Sequence, residues 1–135
     1  MLSQQQQSVV RSELSLSRFL SAQELTYDKA LSEIKQGKKT SHWIWYIFPQ
    51  MRGLGKSEKS YYYGLIGRDE AIAYSKDPVL MARLVEVTQA VLDSGHSVYE
   101  IFGDDAIKVY SCVKLFSTIS DNPVFKKVMD KYNWH

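Results

Sequence analysis

The 135-residue chain has one cysteine, three prolines and a net charge of only +2. Its single cysteine, Cys112, excludes an intramolecular disulfide and favours a reducing compartment. No apolar run approaches the roughly 20 residues that a membrane helix needs, and the N-terminus lacks the features of a secretory signal. The small net charge argues against nucleic acid or an anionic membrane as a partner. We therefore predict a cytoplasmic protein that binds neither nucleic acid nor a membrane.

The composition is that of a globular domain, with 44% hydrophobic and 24% charged residues. A chain of this length fits one domain and buries enough surface to fold without a metal or a disulfide. Gln4 to Gln7 form a polar tract with nothing to bury. We predict a flexible N-terminal extension over residues 1–13 and a single helical domain over residues 14–135.

Side chains that cap helices recur at the start of apolar periodic segments. Asp77 and Asn122 are each followed by proline, which is favoured at the first helical position. The predicted N-caps are Thr26, Ser57, Asp77, Ser97, Asp104 and Asn122. Because no alternating strand pattern separates these helices, we predict an all-α fold. It would be a compact single-domain bundle of about six to seven helices, several of them short.

The aromatic segment Trp43–Phe48 is ambiguous when it is considered alone. Its aromatic and β-branched residues are typical of a buried strand. Ser41 can equally cap a short helix that Pro49 ends. Six residues are too few for periodicity to decide between the two.

A glycine-containing loop, Gly53-Leu54-Gly55-Lys56-Ser57, follows this segment and is similar to part of a phosphate loop. A Walker A motif requires a further glycine at position 50, where this chain has Gln50, so the sequence excludes a true phosphate loop. Two interpretations remain. The loop exposes backbone N–H groups to an anion at the start of a helix, or it forms an ordinary turn capped by Ser57.

Many residues occur in the same order as in a known bacterial family. They include Arg18-Phe19, Gly37-Lys38-Lys39, Ser41-His42-Trp43, Phe48-Pro49-Gln50, Tyr63-Gly64 and Ile101-Phe102-Gly103. Over about residues 16 to 132 the chain resembles the domain-of-unknown-function family eighteen-ten. The resemblance implies an all-helical fold, with a helix or irregular turn over Trp43–Phe48. It also implies that the chain lacks a turn and helix with which the family usually continues past Tyr132.

The resemblance supplies no established activity. Proteins of this family often carry the name calpastatin. A calpastatin-type inhibitor is a disordered, polar chain that folds on its target. This sequence instead has clear helix caps, apolar stripes and 44% hydrophobic residues. We therefore reject that name on the basis of composition.

Polar residues beside the aromatic segment are the best candidates for a site. The candidate ligand-binding residues are His42, Trp43, Gln50, Gly53, Gly55, Ser57, Ser60, Lys108 and Ser111. His42 is either an acid–base group or a histidine bonded to backbone. Lys108 shares a helix face with Asp105 and, less closely, with Ser111. This arrangement is a Ser–Lys catalytic pair in one interpretation and a surface ion pair in the more common one.

These features favour a protein that binds a small molecule or nucleotide-type ligand, with or without catalysis. Its pocket would lie between the His42–Gln50 segment and the Gly53–Ser60 loop, and would take a small anionic or planar ligand. No cofactor is predicted, and no metal, because the three histidines and Cys112 have no metal-ligand spacing. The alternative is a non-catalytic protein-interaction module, which predicts an exposed apolar patch. The sequence assigns neither a catalytic residue nor an oligomeric state.

Overall fold

The computed structural model describes the backbone of residues 4–134 and the side chains of residues 16–134. In this range the helices are α1 (Gln4–Gln36), α2 (Ile44–Ile47), α3 (Glu58–Tyr63), α4 (Gly67–Lys76), α5 (Pro78–Asp93), α6 (Val98–Phe102), α7 (Ala106–Ile119) and α8 (Pro123–Lys131). A short 3-10 helix (Gly103–Asp105) joins α6 to α7. Across the described backbone, extended pairing is limited to one bridge between Met51 and Leu65. The predicted all-α class is confirmed.

The predicted extension over residues 1–13 falls outside the described side chains, as does His135. The backbone is helical from Gln4 onward. The flexibility of the extension and the start of the domain at residue 14 therefore stay predictions. Within the described residues, every helix is either too short or too polar to cross a bilayer.

The core lies between α1, α5, α7 and α8, with α5 packed against both α1 and α8. Large aromatic side chains fill it, among them Phe19 and Tyr74, whose rings meet edge to face at 5.2 Å. Phe48 and Phe102 form a second edge-to-face pair at 5.5 Å. Such perpendicular contacts align the positive ring edge with the negative ring face. Most aromatic residues of the Trp43–Phe48 segment therefore belong to the core.

The caps that pair a short polar side chain with proline form as predicted. The Asp77 carboxylate accepts hydrogen bonds from the backbone N–H groups of Val79 and Leu80 at the start of α5. The Asn122 side chain accepts from Val124 N–H at the start of α8. Each bond satisfies an N–H group that has no partner within its helix.

Two predicted caps are wrong. No helix begins at Thr26, because α1 continues through it and the Thr26 hydroxyl donates to Ala22 O inside the helix, at 2.9 Å. Asp104 does not cap α7, which begins after the 3-10 helix. Asp105 holds the N-cap position of α7 but makes no side-chain cap bond, since its carboxylate pairs with two lysines instead.

The segment that the sequence left ambiguous forms the single helical turn α2. Ser41 does not cap it. Trp43 holds the N-cap position without a side-chain cap bond, and the Ser41 hydroxyl donates to Glu33. The turn is held by burial, because Ile44, Tyr46 and Ile47 all face the core.

An ion pair between Arg18 and Glu70 ties α3 and α4 to α1. Arg18 Nη2 lies 2.6 Å from Glu70 Oε1, and the two side chains are 7% and 10% exposed. The Arg18 guanidinium also donates to the backbone oxygens of Tyr62 and Gly64, at 2.7 and 2.8 Å. Glu70 in turn accepts from Ile66 N–H. The pair therefore satisfies carbonyl groups at the end of α3 and fixes the start of α4.

We predict that Glu70→Ala lowers the free energy of unfolding by about 3–5 kcal/mol, because it leaves the buried guanidinium of Arg18 without a carboxylate. Urea unfolding followed by circular dichroism measures the change. The exposed neighbour Asp69, substituted in the same way, should cost less than about 1 kcal/mol. Equal losses in the two variants would show that the ion pair has no special role.

Candidate functional site

A buried carboxylate on α1 fixes the start of the aromatic segment. Glu33 is 5% exposed, and its Oε1 accepts from Thr40 N–H at 2.7 Å and from Ser41 N–H at 3.0 Å. The Ser41 hydroxyl and the Trp43 indole N–H also donate to this carboxylate, at 2.7 and 3.1 Å. Burial alone would raise the pKa of Glu33, but the bonds from Ser41, Thr40 and Trp43 outweigh it and lower the pKa to about 2.

A cleft of about 180 Å³ opens beside this anchored segment. Its walls combine basic and aromatic side chains with one carboxylate and one aliphatic side chain: Lys39, His42, Lys59, Lys108, Trp43, Trp45, Tyr46, Asp105 and Ile44. Trp43 is 1% exposed and joins the core through an edge-to-face contact with Phe102. Trp45 is half-buried, lines the cleft and packs against the edge of the core. Of the two tryptophans in this segment, Trp45 is therefore the more accessible to a ligand.

Two lysines share one carboxylate at the base of the cleft. Lys39 Nζ lies 2.9 Å from Asp105 Oδ2, and Lys108 Nζ lies 2.5 Å from Asp105 Oδ1. Lys39 also lies over the ring of Trp43, at 5.1 Å from its centroid, and Lys108 lies over Trp45 at 4.5 Å. Burial acts to raise the pKa of Asp105, but the bonds from Lys108 and Lys39 lower it below its usual range. Asp105 is therefore ionised near neutral pH.

Lys59 and His42 complete the cleft at its exposed rim. In the described part of the chain, the ammonium group of Lys59 has neither an ion-pair nor a hydrogen-bond partner. The cleft thus holds three ammonium groups against one carboxylate, a surplus of two positive charges before any contribution from His42.

The glycine loop packs closely against Trp45, which is part of the cleft wall. A Cβ at Gly55 would lie 2.6 Å from Ser60 Cβ and 2.7 Å from Trp45 Cη2, so only glycine lets the loop meet the indole. Gly53 has open space around it but a φ of +102°, which L-residues rarely adopt. The loop therefore supports Trp45 from behind.

Ser57 and Ser60 bond to each other at the start of α3. Ser60 N–H donates to the Ser57 hydroxyl at 3.0 Å, and the Ser60 hydroxyl donates to Ser57 O at 2.7 Å. Of the two interpretations of this loop, the geometry matches the ordinary turn and cap. The Ser57 hydroxyl already accepts a hydrogen bond from the Ser60 N–H group, which is one of those that an anion at the start of α3 would use.

The structure brings together only some of the predicted site residues. His42, Trp43 and Lys108 line the cleft, and Gly55 packs against its wall. Gln50 lies in the core at 5% exposure, where its side-chain Nε2 has no hydrogen-bond partner within the described residues. Gly53, Ser57, Ser60 and Ser111 do not line the cleft. The Ser111 hydroxyl donates to Ile107 O within α7, at 3.1 Å.

Sequence reasoning misses Glu33, Lys39 and Lys59 as members of the site. Glu33 has a local signal, since an acidic residue beside Ile34 and three positions after Ala30 interrupts the apolar stripe of a helix. Lys39 and Lys59 have none, because surface lysines are ordinary and only the tertiary fold brings these two together.

A second, more apolar groove of about 440 Å³ lies where α6 and the start of α7 meet the residues after α8. Tyr99 and Ile107 on its rim are 77% and 68% exposed. Tyr110 and Trp134 meet edge to face within it, at 5.3 Å. The described side chains include no group of three or more His, Cys, Asp or Glu arranged to hold a metal ion.

The all-helical fold of this chain has a relative whose structure has been solved. The chain matches the crystal structure of the conserved hypothetical protein Rv1873 from Mycobacterium tuberculosis with a TM-score of 0.84 and 39% sequence identity, over 88% of this chain and 87% of the other. Residues 13–134 match the family described as "Protein of unknown function (DUF1810)", and the chain belongs to that family. The predicted resemblance is confirmed. No curated protein matches the chain significantly.

We predict that Glu33→Gln lowers the free energy of unfolding near pH 7 by about 3 kcal/mol. The pKa of Glu33 falls from 4.5 to about 2 on folding, so its contribution is present above about pH 4.5 and is lost as the pH falls toward 2. Urea unfolding between pH 2 and 7 should therefore show a steeper loss of stability on acidification in the wild type than in the variant. Glu24→Gln, on the exposed face of the same helix, should keep the wild-type pH dependence. An identical pH profile for Glu33→Gln and wild type would contradict this role.

Proposed function

We propose that the protein binds a small anionic ligand in the cleft formed by the aromatic segment, Lys59 of α3 and the start of α7. The observation that carries this proposal is the charge of the cleft. Lys39 and Lys108 share a single carboxylate, and Lys59 has no acidic partner among the described residues. Unbalanced positive charge beside low-dielectric aromatic walls attracts an anion more strongly than the same charge on open surface.

The volume of the cleft limits how much of a ligand fits inside it. About 180 Å³ is below the roughly 300–1,000 Å³ of pockets that enclose a whole drug-sized ligand. The volume suits a phosphate, sulfate or carboxylate group, with the remainder of the molecule outside. The exposed imidazole of His42 supplies a hydrogen-bond donor at the rim in either tautomer.

The proposed activity is binding, and no residue of the cleft is assigned a catalytic role. A Ser–Lys nucleophile would require the Ser111 hydroxyl to face the Lys108 ammonium. That hydroxyl instead donates to Ile107 O, and Ser111 does not line the cleft. Lys108 is paired with Asp105, as the surface ion-pair interpretation describes.

We predict that Lys59→Ala weakens the binding of inorganic phosphate by about tenfold, because one charge-assisted hydrogen bond is lost from the cleft. Isothermal titration calorimetry with the full chain measures the affinity. Because Lys59 is exposed, its substitution by alanine should leave the unfolding midpoint nearly unchanged.

The control is Lys38→Ala, which removes the same charge from a residue that does not line the cleft and should leave phosphate affinity within about twofold. Asp105→Asn removes the carboxylate that competes with the ligand and should act in the opposite direction, with tighter binding. Equal effects of Lys38→Ala and Lys59→Ala would show that net charge alone, and not the cleft, attracts the anion.

A second candidate function is binding of another protein at the apolar groove, since Tyr99 and Ile107 expose the patch that this alternative predicts. We expect that the combined substitution Tyr99→Ser and Ile107→Lys abolishes any such binding and keeps phosphate affinity. Lys59→Ala should give the reverse pattern. Measuring both properties in both variants separates the two functions.

A further inference from the structure

We propose that the ligand is a phosphate monoester that carries an aromatic or other planar group. Its phosphate would lie in the cleft and its planar group on the ring of Tyr62. This inference rests on the proposed function, since it requires an anion in the cleft. It adds the chemical class of the anion and a second contact outside the cleft.

The charged groups of the cleft suit a phosphate better than a carboxylate. All three strong cations are lysines, and no arginine lines the cleft. Lysine acts as a point charge with rotatable donors, whereas recognition of a planar carboxylate favours the bidentate fork of arginine. The surplus of two positive charges also matches a phosphate monoester, which carries between about −1.5 and −2 near neutral pH.

Lys59 connects the cleft to an open depression on the outer face of α3. Lys59 lines both. The depression is also lined by one further cation, one carboxylate, one hydroxyl and three aromatic rings: Lys56, Glu58, Ser57, Tyr61, Tyr62 and Tyr63. Tyr62 follows Lys59 by three positions on α3, so the two side chains lie on the same helix face. An anion held by Lys59 therefore brings its substituent toward Tyr62.

Tyr62 is held in place yet remains 55% exposed. Its ring meets Tyr63 edge to face at 4.8 Å, and Tyr63 packs at 5.0 Å against Tyr46, which lines the cleft. Its backbone oxygen accepts from the Arg18 guanidinium at 2.7 Å. A ring fixed in this way loses little conformational entropy when a planar group stacks on it.

Tyr61 is a poorer platform, although it is 64% exposed. The guanidinium of Arg52 already covers its ring, at 3.9 Å from the centroid, and donates to Tyr61 O. A ligand would have to displace this cation or use the remaining face. The geometry thus favours Tyr62 as the ring that a ligand contacts.

The test compares methyl phosphate, phenyl phosphate and benzoate by isothermal titration calorimetry with the full chain. We expect phenyl phosphate to bind about tenfold more tightly than methyl phosphate, since stacking on an aromatic side chain commonly provides at least this factor. Tyr62→Ala should abolish the difference and leave methyl phosphate affinity unchanged. Lys59→Ala should weaken both phosphates. Tyr99→Ala, at an exposed tyrosine of the apolar groove, should preserve the difference.

The possible failures are distinguishable. If methyl phosphate binds and phenyl phosphate binds no more tightly, or if the preference survives Tyr62→Ala, the further inference is overturned and the proposed function stands. If benzoate binds as tightly as phenyl phosphate, the assignment to phosphate is wrong. If none of the three anions binds, the proposed function fails together with the inference. An unchanged unfolding midpoint for Tyr62→Ala shows that any effect is not a loss of fold.

Discussion

The hydrogen bonds that Glu33 accepts fix the chain between α1 and the aromatic segment, and this stretch supplies Lys39, Trp43 and Trp45 to the candidate site. Thr40 and Ser41 follow the end of α1, where backbone N–H groups would otherwise need water. The Glu33 carboxylate satisfies both groups and also the indole of Trp43. With its polar atom satisfied, Trp43 is buried without an energetic penalty for that group. The segment is thereby fixed, and Lys39 can contact both Trp43 and Asp105.

The parts of the fold that depend on contacts between residues close together in the chain were predictable from the sequence. The caps at Asp77 and Asn122 form because a side-chain oxygen there reaches N–H groups only two or three residues further on. Thr26 shows the limit of the same signal. A threonine hydroxyl can also bond the carbonyl four residues earlier, and this bond allows α1 to continue. The choice between the two depends on packing, which a short sequence window does not contain.

The candidate site was predictable only where its residues lie close together in the chain. His42 and Trp43 belong to one aromatic segment, so their proximity follows from sequence order. The convergence of Lys39, Lys59 and Lys108 does not, since Lys39 follows α1, Lys59 lies on α3 and Lys108 lies on α7, and the three meet only around the cleft of the folded chain. Ser57 shows the opposite error, because its polar side chain is fully accounted for by the cap that begins α3.

The two glycines of the loop behind Trp45 differ in the physical property that each position requires. Position 55 requires the absence of a side chain, because the nearby atoms of Ser60 and Trp45 occupy the space of a Cβ. Position 53 has open space and requires only a positive φ, a conformation that residues of the opposite chirality prefer. A chemically synthesised chain with D-alanine at position 53 would therefore keep the loop. At position 55 the limit is one of volume, so every L side chain would separate the loop from the wall of the cleft.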